Sequence, residues 1–311
     1  MSALTTLFPV FFMVGLGLIS RIKGWVTSKQ KEGANHIIFN ILFPILIFNI
    51  LLTATIEASA FFIVAYVFIA FGLAIIVGKL TGKLTGEKFS HFSHYMMTTV
   101  EGGNVALPLY TSIVGVTYAS NTIIFDLAGT LMAFIVVPIM VAKSSAGHIT
   151  TKELIKKIMT NSFVLAVTLG LTLNLTGIYT LFSQTSFIDL YTNTITTATN
   201  PIMGLILFVI GYNLKINLET LGPILKQLMV RFVFYICVIV GFFIFFPQMM
   251  ADKTYFIAVL IYFTCPTGFA LPMQIAPLFQ NKDDESYTSA FISLGMIMTL
   301  IIYTITVLFI V

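Results

Sequence analysis

The chain has 311 residues, 58% of them hydrophobic and 9% charged, with a formal net charge of +4. A soluble domain carries roughly 25% charged residues, so this composition excludes a water-clad globule and points to an all-α polytopic membrane protein lodged in a lipid bilayer. The small positive balance is explained by where the loops fall, so no nucleic-acid partner is expected. The two cysteines (Cys237, Cys265) lie inside apolar runs and read as small core residues. The four histidines (His36, His91, His94, His148) show no metal-ligand spacing, so neither a metal nor a cofactor is expected.

Apolar stretches of about 20 residues, long enough for roughly 30 Å of hydrocarbon, occur ten times in order: about 3–22, 34–53, 58–80, 92–114, 122–142, 155–175, 194–214, 221–246, 254–279 and 286–310. The runs are continuous instead of alternating, which selects helices over barrel strands. The first has no basic residue before it and is followed by Arg21 and Lys23, the reverse of a signal peptide's charge order. A first helix with its N-terminus outside is expected instead. Of the 16 Lys and Arg, all but Lys253 fall in the odd-numbered connections between spans. The positive-inside rule puts those connections in the cytoplasm and both termini outside a plasma membrane.

The connection at 143–154 (KSSAGHITTKEL) is the seam between two halves. Residues 1–145 form a first five-helix repeat, 146–154 a cytoplasmic linker, and 155–311 a second repeat. Val14-Gly15-Leu16-Gly17-Leu18 and Gly24 match Val167-Thr168-Leu169-Gly170-Leu171 and Gly177. Phe125 and Gly129 match Phe291 and Gly295, and Pro44 pairs with Pro201. With five helices per repeat the second copy enters from the opposite side, which is the inverted-repeat construction of secondary transporters.

The fourth and ninth spans carry the strongest signal. Asn104-Val105-Ala106-Leu107-Pro108-Leu109 matches Gly268-Phe269-Ala270-Leu271-Pro272-Met273, and both stretches fall at bilayer mid-depth. Proline removes a helical hydrogen bond and clashes with the preceding turn. Gly102 and Gly103 release the chain from helical geometry. Pro108 and Pro272 suit the first position of a new half-helix. In the ninth span Pro266 ends one half and Thr267-Gly268 opens the gap. Each break presents one positive and one negative helix end at mid-membrane, the first suited to an anion and the second to a cation. The bland alternative is a proline kink in each span.

These motifs carry a family resemblance. LFPVFFMVGLGLISRIKGWVT in the first span, NILFPILIFNIL in the second, EGGNVALPL in the fourth, NPIMGLILFVIGYNL in the seventh and CPTGFALP in the ninth resemble the auxin efflux carrier family, which includes plant PIN-type carriers and prokaryotic permeases of malate or malonate. The resemblance covers nearly the whole chain. It implies a fold similar to the sodium/bile acid symporters, with broken crossover helices 4 and 9, a static scaffold of helices 1, 2, 6 and 7, and a mobile core of helices 3–5 and 8–10. It also implies an elevator-type motion and a homodimer through the scaffold. In relatives an asparagine at the first crossing faces the substrate carboxylate, and Asn104 matches it. The corresponding position of the ninth helix, often Asn in plant carriers, is Gly268 here, which weakens the inference that auxin itself is the substrate.

Two carboxylates fall within spans. Glu101 lies three residues before Asn104, on nearly the same helical face, and a bare charge at that depth must be protonated, paired or bound to a cation. It reads as a proton carrier or Na⁺ ligand, or else as a structural carboxyl held by local hydrogen bonds. Asp126, a turn into the fifth span, reads as a second coupling group or as a helix-dipole partner. No buried Lys or Arg is expected to pair with either. Thr130, Thr264, Thr267 and Gln274 supply neutral oxygens, either to a substrate or Na⁺ site (with Na⁺ near Glu101, Asn104 and Thr130) or as interhelical hydrogen-bond partners. Asp283-Asp284-Glu285 reads as a solvated loop, with Asp284 to Ser286 capping the last span.

The reading is a secondary active transporter of small organic anions, mono- or dicarboxylates such as malate or malonate or auxin-like acids, working by alternating access. Gly103, Asn104, Pro108, Thr267, Gly268 and Pro272 form its substrate site. Glu101, Asp126, Thr130 and Gln274 form its coupling site for H⁺ or Na⁺ symport. A uniporter, a channel-like protein or a sensor on the same fold remain as alternatives, and no appended soluble domain is expected. An intramembrane enzyme is not expected, since there is no HExxH, no facing pair of catalytic aspartates and no Ser/His arrangement at depth.

Overall fold

The computed structural model describes residues 3–53, 59–85, 87–144, 160, 162–213, 221–269 and 271–310. The linker at 146–154, with Lys152, and also Lys156, Lys157 and Lys215, lie outside the described residues. Helix is the only regular structure among the described residues. Five helices there are long and apolar enough to cross a membrane: Ser28–Thr53, Ala60–Gly82, Ile188–Asn213, Leu221–Phe245 and Asp283–Phe309. Three shorter apolar helices, Phe8–Ile22, Val164–Leu175 and Lys253–Thr264, accompany them.

Proline shapes three of the helices in the same way. Each of the π turns Ile38–Leu42, Gly102–Ala106 and Met132–Val136 stops one residue short of an X-Pro pair. In each, the residue before the proline donates its N–H five residues back: Phe43 to Ile38, Leu107 to Gly102, Val137 to Met132. A proline has no N–H to give and its ring collides with the carbonyl four residues back. Widening the turn relieves the collision while the helix continues.

Contacts divide the chain into two units. One comprises Phe8–Ala60 and Thr150–Asn213, that is, the stretches holding spans one, two, six and seven. Its helices meet through residues without side chains. A Cβ on Gly17 would stand 1.9 Å from the Phe208 carbonyl oxygen, and one on Gly170 would stand 2.8 Å from that of Phe48. Gly17 and Gly170 are aligned with each other in the sequence reading, and the backbones they approach lie in the apolar stretches 194–214 and 34–53. The matched Gly24 and Gly177 both take left-handed backbone, with φ of 68° and 73°, a conformation that ends a helix at little cost only for glycine. Asn174 donates to the carbonyls of Leu51 and Leu52, both at 2.9 Å.

The other unit comprises Met1–Leu7, Phe61–Ile149 and Leu214–Val311. Phe125, fully buried on the helix Ser120–Leu131, is its aromatic centre. The rings of Tyr262, Phe242, Tyr255 and Phe263 surround it at centroid distances of 5.2, 5.5, 5.7 and 5.8 Å. These edge and tilted contacts fix Ser120–Leu131 against Leu221–Phe245 and Lys253–Thr264.

The last helix departs from the sequence reading. It starts at Lys282, with the Asn281 side chain accepting from the N–H groups of Asp283 and Asp284, so Asn281 is the cap and not the Asp284 to Ser286 stretch. Asp284 is not in a solvated loop: it is 0% exposed and accepts from the Gln280 N–H at 2.8 Å, with His91 Nε2 at 3.1 Å. Its neighbours Asp283 and Glu285 stay in water, Asp283 paired with Lys88 at 2.7 Å.

Candidate functional site

Both irregular segments lie in the second of these units. In the fourth segment the chain is helical through Met97 and leaves helical geometry at 98–101. Thr99 takes a φ of 50°, the one non-glycine with positive φ among the described residues. That is a strained conformation for a β-branched side chain. The second half begins at Gly102 and runs through the π turn into Leu107–Val114. The break therefore sits about a turn earlier than the sequence reading placed it. Gly102 and Gly103 open the second half-helix, and Pro108 lies inside it instead of starting it. In the ninth segment the helix Lys253–Thr264 stops at Cys265, and the chain is irregular over Pro266, Thr267, Gly268 and Phe269 before Leu271–Ile275. Pro272 is the second residue of that short helix.

The two breaks bind each other. The Glu101 N–H donates to the Pro266 carbonyl at 2.8 Å. The Thr267 hydroxyl donates to the Met96 carbonyl at 2.5 Å. Glu101 is 7% exposed, and its two carboxylate oxygens are divided between the segments. Oε1 accepts from the Asn104 side-chain amide, and Oε2 from the backbone N–H of Phe269. Both are charge-assisted bonds when the carboxylate is ionised. Gly268 backs onto the same group: a Cβ there would lie 3.2 Å from Thr99 Oγ1 and 3.8 Å from Glu101 Oε2. Asn104, Glu101, Thr267 and Gly268 are thus brought together.

Asp126 approaches from Ser120–Leu131. A Cβ on Gly102 would stand 2.0 Å from Asp126 Oδ1 and 2.8 Å from Tyr262 Cε2, so only glycine admits this packing. The Tyr262 hydroxyl donates to Asp126 Oδ1 at 3.3 Å. The two carboxylates therefore flank a single glycine. Thr130 and Gln274 do not join them by any hydrogen bond among the described residues, and Gln274 Oε1 is buried without a partner there. Thr264 turns away: its hydroxyl bonds back to the Leu260 carbonyl at 2.8 Å.

Residues 2–154 match the model of a family described as Membrane transport protein. Over these residues the chain matches the auxin efflux carrier family of membrane transport proteins. The match takes in the first break and Asp126. No curated protein matches the chain. The family's members are transporters and not enzymes.

In this transporter one residue of the site escaped the sequence reading. Arg231 counts there among the cytoplasmic loop charges, yet it lies inside the helix Leu221–Phe245 and is 4% exposed. Its guanidinium pairs with neither Glu101 nor Asp126. Nη1 donates to the Met97 carbonyl at 2.5 Å and the Met96 carbonyl at 3.3 Å, and Nη2 donates to the Thr99 carbonyl at 2.8 Å. The guanidinium stacks 4.5 Å above the Tyr235 ring, whose hydroxyl also donates to the Met97 carbonyl. One turn earlier, Gln227 donates to the Ser93 carbonyl and accepts from the Tyr287 hydroxyl at 2.5 Å. The available signal was an arginine ten residues into an apolar run, which at membrane depth marks a functional position by default.

Proposed function

We propose that this transporter is a ten-span protein of two inverted five-helix repeats, resident in the plasma membrane with both termini outside, and that it moves small organic anions by alternating access. The reading draws support from the packing of matched glycines. Gly17 of the first span meets the seventh and Gly170 of the sixth meets the second, as an exchange of repeats requires. The division of the chain supports assigning spans one, two, six and seven to a scaffold and the rest to a moving core. A homodimer would form through that scaffold.

One observation carries the substrate class. The carboxylate of Glu101 rests on two donors, the Asn104 amide and the Phe269 N–H, one from each break. Those donors suit any carboxylate, so a substrate anion competes with Glu101 for them. When Glu101 takes up a proton it ceases to be an anion, and one substrate carboxylate replaces it without adding charge at mid-depth. Substrate and proton then travel together. The groups facing Glu101 are Asn104, the Phe269 N–H, Thr99 and Gly268, with Asp126 and Tyr262 across Gly102. Asp126 is the second candidate for the proton. Thr267, Gly103, Pro108 and Pro272 shape the break around the anion.

The test is uptake of labelled malonate into proteoliposomes. Asn104→Ala protein that inserts normally is expected to lose uptake by about tenfold or more, the loss of one charge-assisted bond. Full-rate uptake by that variant contradicts the site.

A further inference from the structure

We infer that Arg231 is a tethered cation that fills the carbonyl end of the fourth-segment break, taking the position a free cation could otherwise occupy there. The inference extends the proposed transport reading, in that it bears on which ion the transporter needs. Its evidence is independent of any substrate.

The carbonyls at issue are those of Met96, Met97, Thr98 and Thr99. The first two close a half-helix and carry its negative end. The last two lie on unwound chain. Left bare at membrane depth, each is an unsatisfied acceptor. The guanidinium reaches all four, at 3.3, 2.5, 3.5 and 2.8 Å in that order. Among the described residues no carboxylate stands within ion-pair distance of it. A fully buried positive charge met by carbonyl dipoles is the environment of an alkali cation in a protein. Here the cation is covalently supplied and always protonated.

Two further contacts separate this from an ordinary helix-end hydrogen bond. Thr99, one of the four, is the residue held at φ 50°, and its carbonyl takes the Nη2 donor. Met96, another of the four, also accepts from the Thr267 hydroxyl of the ninth-segment break. Arg231 therefore fixes the strained residue two positions before Glu101 and one of the carbonyls through which the two breaks meet. It is a positioning residue, and its guanidinium already engages the acceptors that an exchanging ion would use. The consequence is that Na⁺ is not required at this end.

The experiment reads thermal unfolding of purified protein without substrate, so its outcome is separate from whether malonate is carried. Wild type is compared in NaCl, KCl and N-methylglucamine chloride at equal ionic strength, and Arg231→Ala and Arg231→Lys are compared with and without 10 mM guanidinium. The expected results are no Na⁺-specific shift in wild type and an intermediate loss in Arg231→Lys. Arg231→Ala should unfold at lower temperature and regain about 2–4 °C or more with guanidinium, since an ion that binds only the native state raises its stability. A Na⁺-specific rise in wild type overturns the inference. So does folded Arg231→Ala that gains nothing from guanidinium or an alkali cation. If Arg231→Ala does not fold, the wild-type cation series and Arg231→Lys decide it: Arg231→Lys indistinguishable from the unfolded variant counts against a role for the charge.

Discussion

The fourth-segment break has two ends, and each meets a buried charge of the opposite kind by a different device. At the carbonyl end a guanidinium reaches in from a neighbouring helix and holds four oxygens. At the N–H end a carboxylate from the break itself reaches across to the other broken segment. Arginine stays charged at every physiological pH, whereas a carboxylate can be neutralised. The contrast teaches which end can cycle. The arginine end is suited to hold a conformation, and the glutamate end to release one charge and accept another.

The largest expected effect comes from breaking the permanent end. Arg231→Met removes a buried, charged donor shared by four carbonyls, of which those of Met96 and Met97 keep the Thr267 and Tyr235 hydroxyls, and a loss of about 3 kcal/mol or more of stability is expected, measured as a fall in denaturation midpoint at fixed detergent. A loss below 1 kcal/mol would put the two ends on an equal footing and dissolve the contrast. Next is Glu101→Gln, which keeps shape and one acceptor. Its expected cost is about 1–2 kcal/mol, but its effect on linkage is total. In wild type, malonate affinity should weaken by about tenfold per pH unit once Glu101 is ionised, because each bound anion carries one proton. Glu101→Gln should flatten that slope, as read by calorimetry across pH. A slope that survives in the variant moves the proton to Asp126. Gln227→Leu, one turn from Arg231, removes the Ser93 and Tyr287 contacts and is expected to cost about 1–2 kcal/mol with no change in linkage, as a merely supporting group should.

The smallest effect sharpens the comparison within the ninth segment. Its first half-helix is capped by Asp252, which accepts from the Thr254 N–H at 2.6 Å and the Tyr255 N–H at 3.2 Å. Its second half begins near the Phe269 N–H held by Glu101. Asp252 lies in water, and the Thr254 hydroxyl, then burial in opposition, then the backbone N–H groups leave its carboxyl below the usual aspartate value. A lowered folded-state value means a stabilisation present above the unfolded value and lost as pH falls through the folded one. Asp252→Ala should therefore cost about 1 kcal/mol near neutral pH and progressively less on acidification, with substrate affinity unchanged. A change in malonate affinity would show that the Asp252 cap is not independent of the site.

Much of this was legible in the sequence because membrane depth punishes exceptions. Pro266 and Gly268 in an apolar run mark a stop, and the helix stops one residue earlier, at Cys265. The fourth segment misled by a turn. Gly102, Gly103 and Pro108 are the residues that permit a break, but a π turn absorbs Pro108, and the strain falls on Thr99, where no residue type announces it. Arg231 was hidden by a rule that counts positive charges as loop markers without asking how far into the helix they lie. Asp284 was hidden by its acidic neighbours. Its burial depends on Gln280 and His91, contacts that no local pattern encodes.

The most direct measurement is accumulation of labelled malonate by proteoliposomes under an imposed inward proton gradient, with Na⁺ replaced throughout by N-methylglucamine. Wild type is expected to concentrate malonate above the outside level, and Glu101→Gln protein to equilibrate it only. Wild-type accumulation that ignores the proton gradient, or Glu101→Gln protein that still concentrates malonate, would contradict the account.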